Sequence, residues 1–215
     1  MNEMLLPLFP LQVVLFPGAR LPLHIFEERY KVLVNECIKD EREFGVNLLR
    51  EGEVAGVGCT ALVVSVLKMY DDGRMDIVVE GKRRYRVHRT DQRKAPYLVG
   101  HVEYLVPESE TIDRQLAVET IRLYNELVDL VYRENVEAVE EGRADPELSF
   151  LLGQKAGMDL LQRQKLLESS SENHRLRMIR DYLSSVIPKL ERAGEIERII
   201  RSDGYLTRTN SPEEG

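Results

Sequence analysis

Proline residues divide the first thirty residues into short apolar segments, and this feature limits the possible folds most strongly. Three such segments follow one another, at residues 6–10, 14–18 and 21–26. Proline fixes φ and lacks the N–H that a helix interior or a central strand needs, so the segments suit short buried or edge strands. The pattern predicts barrel-like β-structure with sharp corners, followed by a helix.

The rest of the first half alternates strand signals with one helix signal. Apolar residues recur at steps of three and four from Phe26 to Ile38, as on one face of an amphipathic helix. Strand-like runs follow at residues 44–49, 57–70, 74–89 and 97–105, and the turn signal Asp72-Gly73 lies between the second and third of them. We therefore predict a twisted, partly closed barrel with one inserted helix over residues 1–107.

The second half is predicted to be helical. Residues 111–141 contain no proline or glycine and predict one helix of about 42 Å at 1.5 Å per residue. Shorter helices are predicted at 148–155 and 160–168, then a capping box from Ser169 to Glu172 and a last helix that Pro188 kinks or interrupts. We expect a helical bundle over 108–205 and a disordered tail over 206–215.

Composition restricts the class of partner. The chain has 215 residues and a net charge of −7, all of it beyond residue 107, so the balance does not favour nonspecific binding to nucleic acid. No apolar run is long enough to cross a membrane. Cys37 and Cys59 are isolated, which indicates buried thiols in a reducing cytoplasm and neither a disulfide framework nor a zinc site.

Several motifs occur in the order found in one known domain. The opening pattern is L-P-L-F-P, V-L-F-P-G and L-P-L-x-I-F-E-x-R-Y, and the later matches are Val57-Gly58, Asp72-Gly73, Val79-Glu80-Gly81, Pro96-Tyr97, residues 164–168 and Arg175-Leu176. Over residues 5–190 the chain resembles the N-terminal, substrate-binding domain of the Lon protease family, in a stand-alone form. The resemblance implies an α+β fold, in which a PUA-like twisted pseudobarrel of short strands precedes a C-terminal helical bundle.

The resemblance implies a non-catalytic module that recognises protein or peptide substrates. The sequence contains no phosphate-binding loop of the form G-x-x-x-x-G-K-[ST], and its four histidines lack metal-ligand spacing. We expect no cofactor, no metal and no catalytic site, because no nucleophile and base can be named together. The expected partners are unfolded or extended polypeptide segments, together with a separate protease or chaperone.

A peptide-binding groove is the first candidate site. Apolar and aromatic residues near the amino end could line a groove between the barrel and the helices. The alternative is that most of them form ordinary core. The candidates are Phe16, Leu21, Leu23, His24, Phe26 and Tyr30.

A basic strand is the second candidate site. Lys82, Arg84, Arg86 and His88 alternate along a predicted strand, so one face would be basic. Its functional interpretation is RNA binding, as in PUA domains, and its structural interpretation is a solvated face paired with nearby carboxylates. A third hypothesis, a structural adaptor, leaves self-association through the 111–141 helix open.

Overall fold

The computed structural model describes residues 4–91, 95–132 and 136–202, with side chains described as far as Gly194. The predicted tail over 206–215 lies outside these residues. Six strands and one helix make up the first part of the chain. They are β1 (Met4–Leu11), β2 (Arg20–Ile25), α1 (Glu28–Lys39), β3 (Phe44–Arg50), β4 (Glu53–Met69), β5 (Met75–Asp91) and β6 (Leu98–Tyr104).

Five of the six strands close into a ring. Along the ring, β1 pairs with β3, β3 with β4, β4 with β5, β5 with β6, and β6 returns to β1. The β1–β3 pair is parallel and the other four pairs are antiparallel. β2 lies outside the ring and pairs with the first part of β5, over residues 75–80.

The pairing explains how strands with prolines fit into this sheet. β1 pairs with β6 through its first half, which contains Pro7, and with β3 through its second half, which contains Pro10. Pro22 lies in β2, which pairs with β5 alone among the described strands. Each proline therefore has a neighbour on one side only, and its missing N–H leaves no gap in the ladder on the other side. The predicted middle segment, residues 14–18, forms a buried bend and turn instead of a strand.

The helical part is more broken than the sequence predicted. It consists of α2 (Arg114–Leu127), a π-helical turn (Val128–Tyr132), α3 (Leu148–Gly153), α4 (Leu160–Glu168) and α5 (Glu172–Ser202). The single helix predicted over 111–141 was wrong, because α2 ends at Leu127 and residues 137–140 are not helical. Asn125 accounts for part of the break, since its side chain exchanges two hydrogen bonds of 2.8 Å with the backbone of Val139.

No helix in the described part of the chain is long and apolar enough to span a membrane.

The helix caps also differ from the prediction. The capping box lies at Asp159 and Gln162, which start α4, and not at Ser169. At α5 the Ser171 hydroxyl accepts a hydrogen bond of 3.1 Å from the backbone N–H of His174. Pro188 does not end α5, which runs through it to Ser202.

A cluster around Arg84 and Arg175 joins the barrel to the helices. Arg84, on β5, is only 4% exposed, and it donates hydrogen bonds to the carbonyl oxygens of Leu167 at 2.9 Å and Ser169 at 2.6 Å. Arg175, on α5, donates to the same Ser169 carbonyl at 2.7 Å. Both guanidinium groups also lie against the Phe150 ring, 5.6 and 4.3 Å from its centroid. We call these three side chains the arginine cluster.

The carboxylate of Glu172 forms an ion pair with Arg175. Glu172 accepts a hydrogen bond of 2.5 Å from Arg175 and two of 2.7 Å from the backbone and hydroxyl of Ser149.

Burial, and then repulsion from Arg175, lower the pKa of Arg84 to about 10. Arg84 therefore keeps its charge at neutral pH, where it satisfies carbonyls at the end of α4 that have no partner within the helix.

Gly81 allows the opening segment to pack against β5. Its N–H donates to the Ala19 carbonyl and its carbonyl accepts from the Gly18 N–H, both at 2.9 Å. A Cβ at Gly81 would lie 2.1 Å from the carbonyl oxygen of Phe16, which is backbone and cannot rotate away. Any larger residue would force the bend at 14–18 off the barrel.

We expect Gly81→Ala to lower the free energy of unfolding by about 2 kcal/mol or more, because the added methyl group overpacks a backbone contact. Urea denaturation measures this change. Gly56→Ala is the matched control, since nothing lies within 4 Å of a Cβ at Gly56, and we expect it to change stability by less than about 0.5 kcal/mol. Equal stability of the two variants would contradict the packing of this bend.

Candidate functional site

β4 and β5 extend beyond the ring and form a small sheet with β2. We call β2, residues 62–69 of β4 and residues 75–80 of β5 the outer sheet. Met75, Ile77 and Val79 on one face of β5 are buried in the same cluster as Leu33 and Val34 of α1. The alternate residues of β5 lie on the opposite face, which α1 does not cover.

Cross-strand pairing sets the order of side chains on this uncovered face. Residues directly opposite each other share a face, so Pro22 lies beside Val78 and His24 lies beside Asp76. Pro22 and His24 are exposed, while Val78 and Asp76 are half-buried. The apolar pair Pro22 and Val78 therefore lies next to the polar pair His24 and Asp76.

The polar pair is part of a three-residue cluster. His24 Nδ1 lies 2.6 Å from Asp76 Oδ1, and the Tyr70 hydroxyl donates to Asp76 Oδ2 at 2.9 Å. The hydrogen bond from His24, and then that from Tyr70, lower the pKa of Asp76. The Phe26 ring stacks on the His24 ring with centroids 5.9 Å apart, so an exposed aromatic side chain lies directly against the polar cluster.

Large apolar side chains are also exposed at the rim of the outer sheet, and one of them, Met69, lies on the opposite face from this cluster because it pairs with the buried Met75. Phe26 is 59% exposed, and Leu67 and Met69 on β4 are 63% and 61% exposed. Val64 and Val66 on the same strand are also exposed. An apolar group of this kind on a soluble domain usually marks a surface that contacts a partner.

The structure does not bring the six predicted groove residues onto one open surface. Phe16 and Tyr30 are buried, Phe16 against Phe150 and Tyr30 against Phe9. Leu21 and Leu23 are half-buried on the inner face of β2. Only His24 and Phe26 are exposed, and they lie on the outer sheet.

Sequence reasoning missed the contribution of β4 to this surface. Leu67 and Met69 lie in the predicted strand over 57–70, but their exposure depends on how far β4 extends beyond β3. A signal was present, because the two runs around Asp72-Gly73 are much longer than the strand run at 44–49. Strands longer than their neighbours must leave the barrel at one end.

The predicted basic strand is not a continuous basic face. Arg84 is buried in the arginine cluster. Lys82 bonds to Glu80, and His88 lies 3.2 Å from Glu103. Arg86 is exposed. The arrangement agrees with the structural interpretation of these residues and does not favour RNA binding, which would need a row of free cations.

Other side chains with chemical potential have structural contacts. Glu27 accepts from Arg29 at 2.9 Å, so these exposed residues form a local ion pair. Cys37 and Cys59 are free, buried thiols, and burial raises the pKa of Cys37 to about 11. The described residues include no group of three or more side chains that could hold a metal ion.

The sequence agrees with one protein family. Residues 5–185 match the model of the ATP-dependent protease La (LON) substrate-binding domain. The match covers most of the chain, so the protein belongs to this family.

The chain is also similar to parts of longer proteins. It is 27% identical over 213 residues to the Lon protease of Anaeromyxobacter dehalogenans and 26% identical over 215 residues to Lon protease 2 of Myxococcus xanthus. In both cases the alignment covers 92% of this chain, and it covers 25% and 26% of those proteins. The chain therefore spans about a quarter of the length of these relatives.

Solved structures show the same fold. The Lon N-terminal domain protein from Xanthomonas campestris matches with a TM-score of 0.66 and 27% identity, over 82% of this chain and 96% of that one. The N-terminal domain of Mycobacterium avium complex Lon protease matches with a TM-score of 0.63 and 19% identity, over 84% and 98% of the two chains. The α+β fold predicted from the sequence is confirmed.

We expect His24→Ala to raise the pKa of Asp76 toward the ordinary value of an aspartate, because it removes the larger of the two hydrogen bonds that favour the ionised carboxylate. Tyr70→Phe should raise it less. In the wild type the cluster persists at neutral pH and is lost as the pH falls through the lowered pKa of Asp76. In the alanine variant the same loss of charge occurs at higher pH.

An NMR titration of side-chain carboxyl carbons measures this shift. Glu110 is the internal control, since it lies in the segment before α2, away from the outer sheet, and accepts hydrogen bonds from Ser171 and Asn173 at the start of α5. Its pKa should be the same in all three proteins. An unchanged pKa of Asp76 in the alanine variant would show that His24 does not hold the carboxylate.

Proposed function

We propose that this protein is a polypeptide-binding module and that its binding surface is the uncovered face and rim of the outer sheet. The exposed apolar side chains of Phe26, Leu67 and Met69 are the observation that supports this most directly. In its relatives the matching segment is part of Lon proteases, and the family model is that of a substrate-binding domain. By analogy, the ligand is a segment of an unfolded polypeptide that exposes apolar side chains.

The charges around the surface favour an apolar ligand. Glu80 lies within bonding distance of Lys82 and 3.5 Å from Arg20. Asp76 is bonded to His24 and Tyr70. A ligand that covers this face therefore does not have to strip water from a free carboxylate, which would cost more than apolar contact returns.

The free energies of apolar burial and of association predict weak binding to any one segment of a polypeptide. Fully burying a large apolar side chain contributes about 1.5–3 kcal/mol. Phe26, Leu67 and Met69 are each about three-fifths exposed, so together they contribute roughly 3–5 kcal/mol. The loss of translational and rotational freedom on association costs at least about 4 kcal/mol, and the ligand must supply apolar surface of its own to offset this cost.

Weak contact with single segments suits a role in holding unfolded chains for another protein. An unfolded polypeptide carries many apolar segments, and several contacts in succession raise its local concentration. We propose that a separate protease or chaperone receives the polypeptide, with this protein acting in recognition and not in catalysis.

We expect the double variant Phe26→Ser, Leu67→Ser to bind fluorescein-labelled β-casein at least about tenfold more weakly than the wild type, because two of the three largest exposed apolar groups are lost. Fluorescence anisotropy titration measures the affinity, and circular dichroism checks the fold. Val106→Ser is the matched control, since Val106 is 81% exposed and lies beyond the outer sheet. Wild-type affinity in the double variant would place the binding surface elsewhere, and a wild type that does not bind would refute the proposed function.

A further inference from the structure

The outer sheet has one strand edge without a neighbour. β3 pairs with β4 only as far as Ala61, so residues 62–69 of β4 pair with β5 alone among the described strands. We call the side of residues 62–69 that faces away from β5 the open edge. A ligand in extended conformation can add to such an edge as a further strand, provided that backbone N–H and C=O groups point outward at regular intervals.

The pairing of β4 with β5 contains one extra residue near the middle of the outer sheet. Val63 lies opposite Val79, and Ser65 lies opposite Val78. Val64 therefore has no partner of its own, which defines a β-bulge.

A second bulge follows in the same strand. Val66 lies opposite Ile77, and Lys68 lies opposite Asp76, so Leu67 is the extra residue. Because an extra residue adds no position to the ladder, intervals along the open edge have to be counted on β5.

The hairpin turn shows which groups point outward at one end of the open edge. The N–H of Tyr70 donates to the Arg74 carbonyl, and the Tyr70 carbonyl accepts from the Gly73 N–H, both at 2.9 Å. Tyr70 thus directs both groups toward β5. Antiparallel pairs alternate between bonded and non-bonded, so Met69 directs its groups away from β5.

The other end of the sheet gives the same result. Gly81 bonds to Ala19 and Gly18, away from β4, so its partner Ala61 points away from β5 as well. Alternation counted on β5 from either end gives the same outward-facing residues of the open edge. They are Val63, Val66 and Met69.

The outward groups have the spacing of a regular strand. The three outward-facing residues lie opposite every second residue of β5, from Val79 to Met75, so their backbone groups recur about every 6.7 Å. No described residue is bonded to them on this side. An added strand of about six residues therefore stays in register with all three.

A groove runs beside the open edge, on the side of the sheet that α1 covers. It has a volume of about 410 Å³, and its walls are residues 62–66 of β4 and, at the end of α1, Cys37, Ile38 and Glu41. Val66 shares a face with the buried Ile77, which packs in the same cluster as α1. Side chains of an added strand opposite the outward residues would lie on that face too, and so enter the groove.

One carboxylate of the groove has no ion pair within the described part of the chain. Glu41 is exposed, and the neighbouring Arg42 is already paired with Glu36 and Asp40. The other groove residues are mainly apolar. The complementary ligand therefore has apolar side chains at alternate positions and a basic residue at one end, which contributes to orientation more than to affinity.

A flexible chain fits this edge better than a second copy of the protein. Bulges bend a strand and increase its twist, so an added strand has to adjust its own twist along its length. An unfolded polypeptide can do this, whereas the β4 of a second copy is already held in its bulged form by its own β5.

We propose that the open edge binds an extended polypeptide segment as an added strand, with alternate apolar side chains in the groove and a basic residue near Glu41. This inference rests on the proposed function and names the conformation of its ligand. The backbone of the segment bonds to β4, so binding depends on the alternation of apolar residues more than on their identity.

Val66→Pro removes one donor from the open edge. The N–H of Val66 points away from β5, so proline keeps the ladder between the two strands. Val66→Ala is the matched control for the loss of the side chain. The probe is a fluorescein-labelled eight-residue peptide in which valine and threonine alternate between terminal lysines, and fluorescence anisotropy measures its affinity.

We expect the proline variant to bind this peptide at least about fivefold more weakly than the alanine variant, because a carbonyl of the ligand loses its donor. Equal affinities, with the melting temperature of the proline variant retained, would overturn the inference.

Two methylated peptides give a measurement on the wild type. One carries N-methyl groups on its three valines and the other on its three threonines. Successive N–H groups of a strand point to opposite sides, so each peptide has one blocked edge. We expect one of them to bind at least about tenfold more weakly than the unmethylated peptide and the other to bind within about fivefold of it. Recognition through side chains alone predicts the same change in both, and that result would overturn the inference.

Labelled β-casein separates this inference from the proposed function. If β-casein binds the wild type and the unmethylated peptide does not, strand addition is refuted and the proposed function stands. If neither binds, the proposed function itself is refuted.

Discussion

The contact between Arg84 and the end of α4 is the constraint on which the rest of the structure depends. A buried guanidinium is costly unless hydrogen bonds compensate for its burial; in Arg84 the Nη1 atom makes two such bonds, while Nη2 is buried without a partner among the described residues. Here it bonds to the carbonyls of Leu167 and Ser169, and the second carbonyl also accepts from Arg175. Barrel and helices therefore meet at one polar site, and removing Arg84 would take this donor from the Leu167 carbonyl, whereas the Ser169 carbonyl would keep its bond from Arg175.

This contact divides β5 into two parts with different roles. Arg84 lies near the middle of the strand, and the residues after it pair with β6 inside the ring. The residues before it pair with β2 and form the outer sheet. The helices therefore hold β5 near its middle, at Arg84. Residues 75–80 of the same strand form part of the proposed binding surface.

Most helices and strands depend on residues within their own segment, and these helices and strands could be predicted from the sequence. The strands around Asp72-Gly73 and the helix α4 depend on a turn and on apolar spacing within their own segments. The break after Leu127 could not be predicted, because it depends on Asn125 bonding to a segment fourteen residues away. Arg84 was misplaced for the same reason: alternation along a strand shows which residues share a face, but not whether helices cover that face. Of the predicted groove residues only His24 and Phe26 are exposed, and whether they bind a ligand stays a prediction, whereas the exposure of Leu67 and Met69 required knowing where β3 ends.

The pairing of β4 with β5 contains two β-bulges, because Val64 and Leu67 have no partner of their own on β5, and these bulges have a consequence beyond ligand binding. Fibrils of the cross-β type grow when identical flat edges stack with every backbone group in register. Bulges bend a strand and increase its local twist, so this edge is not the flat template that such stacking needs. The apolar residues of β4 can thus stay exposed on an edge that resists pairing with the same edge of a second copy.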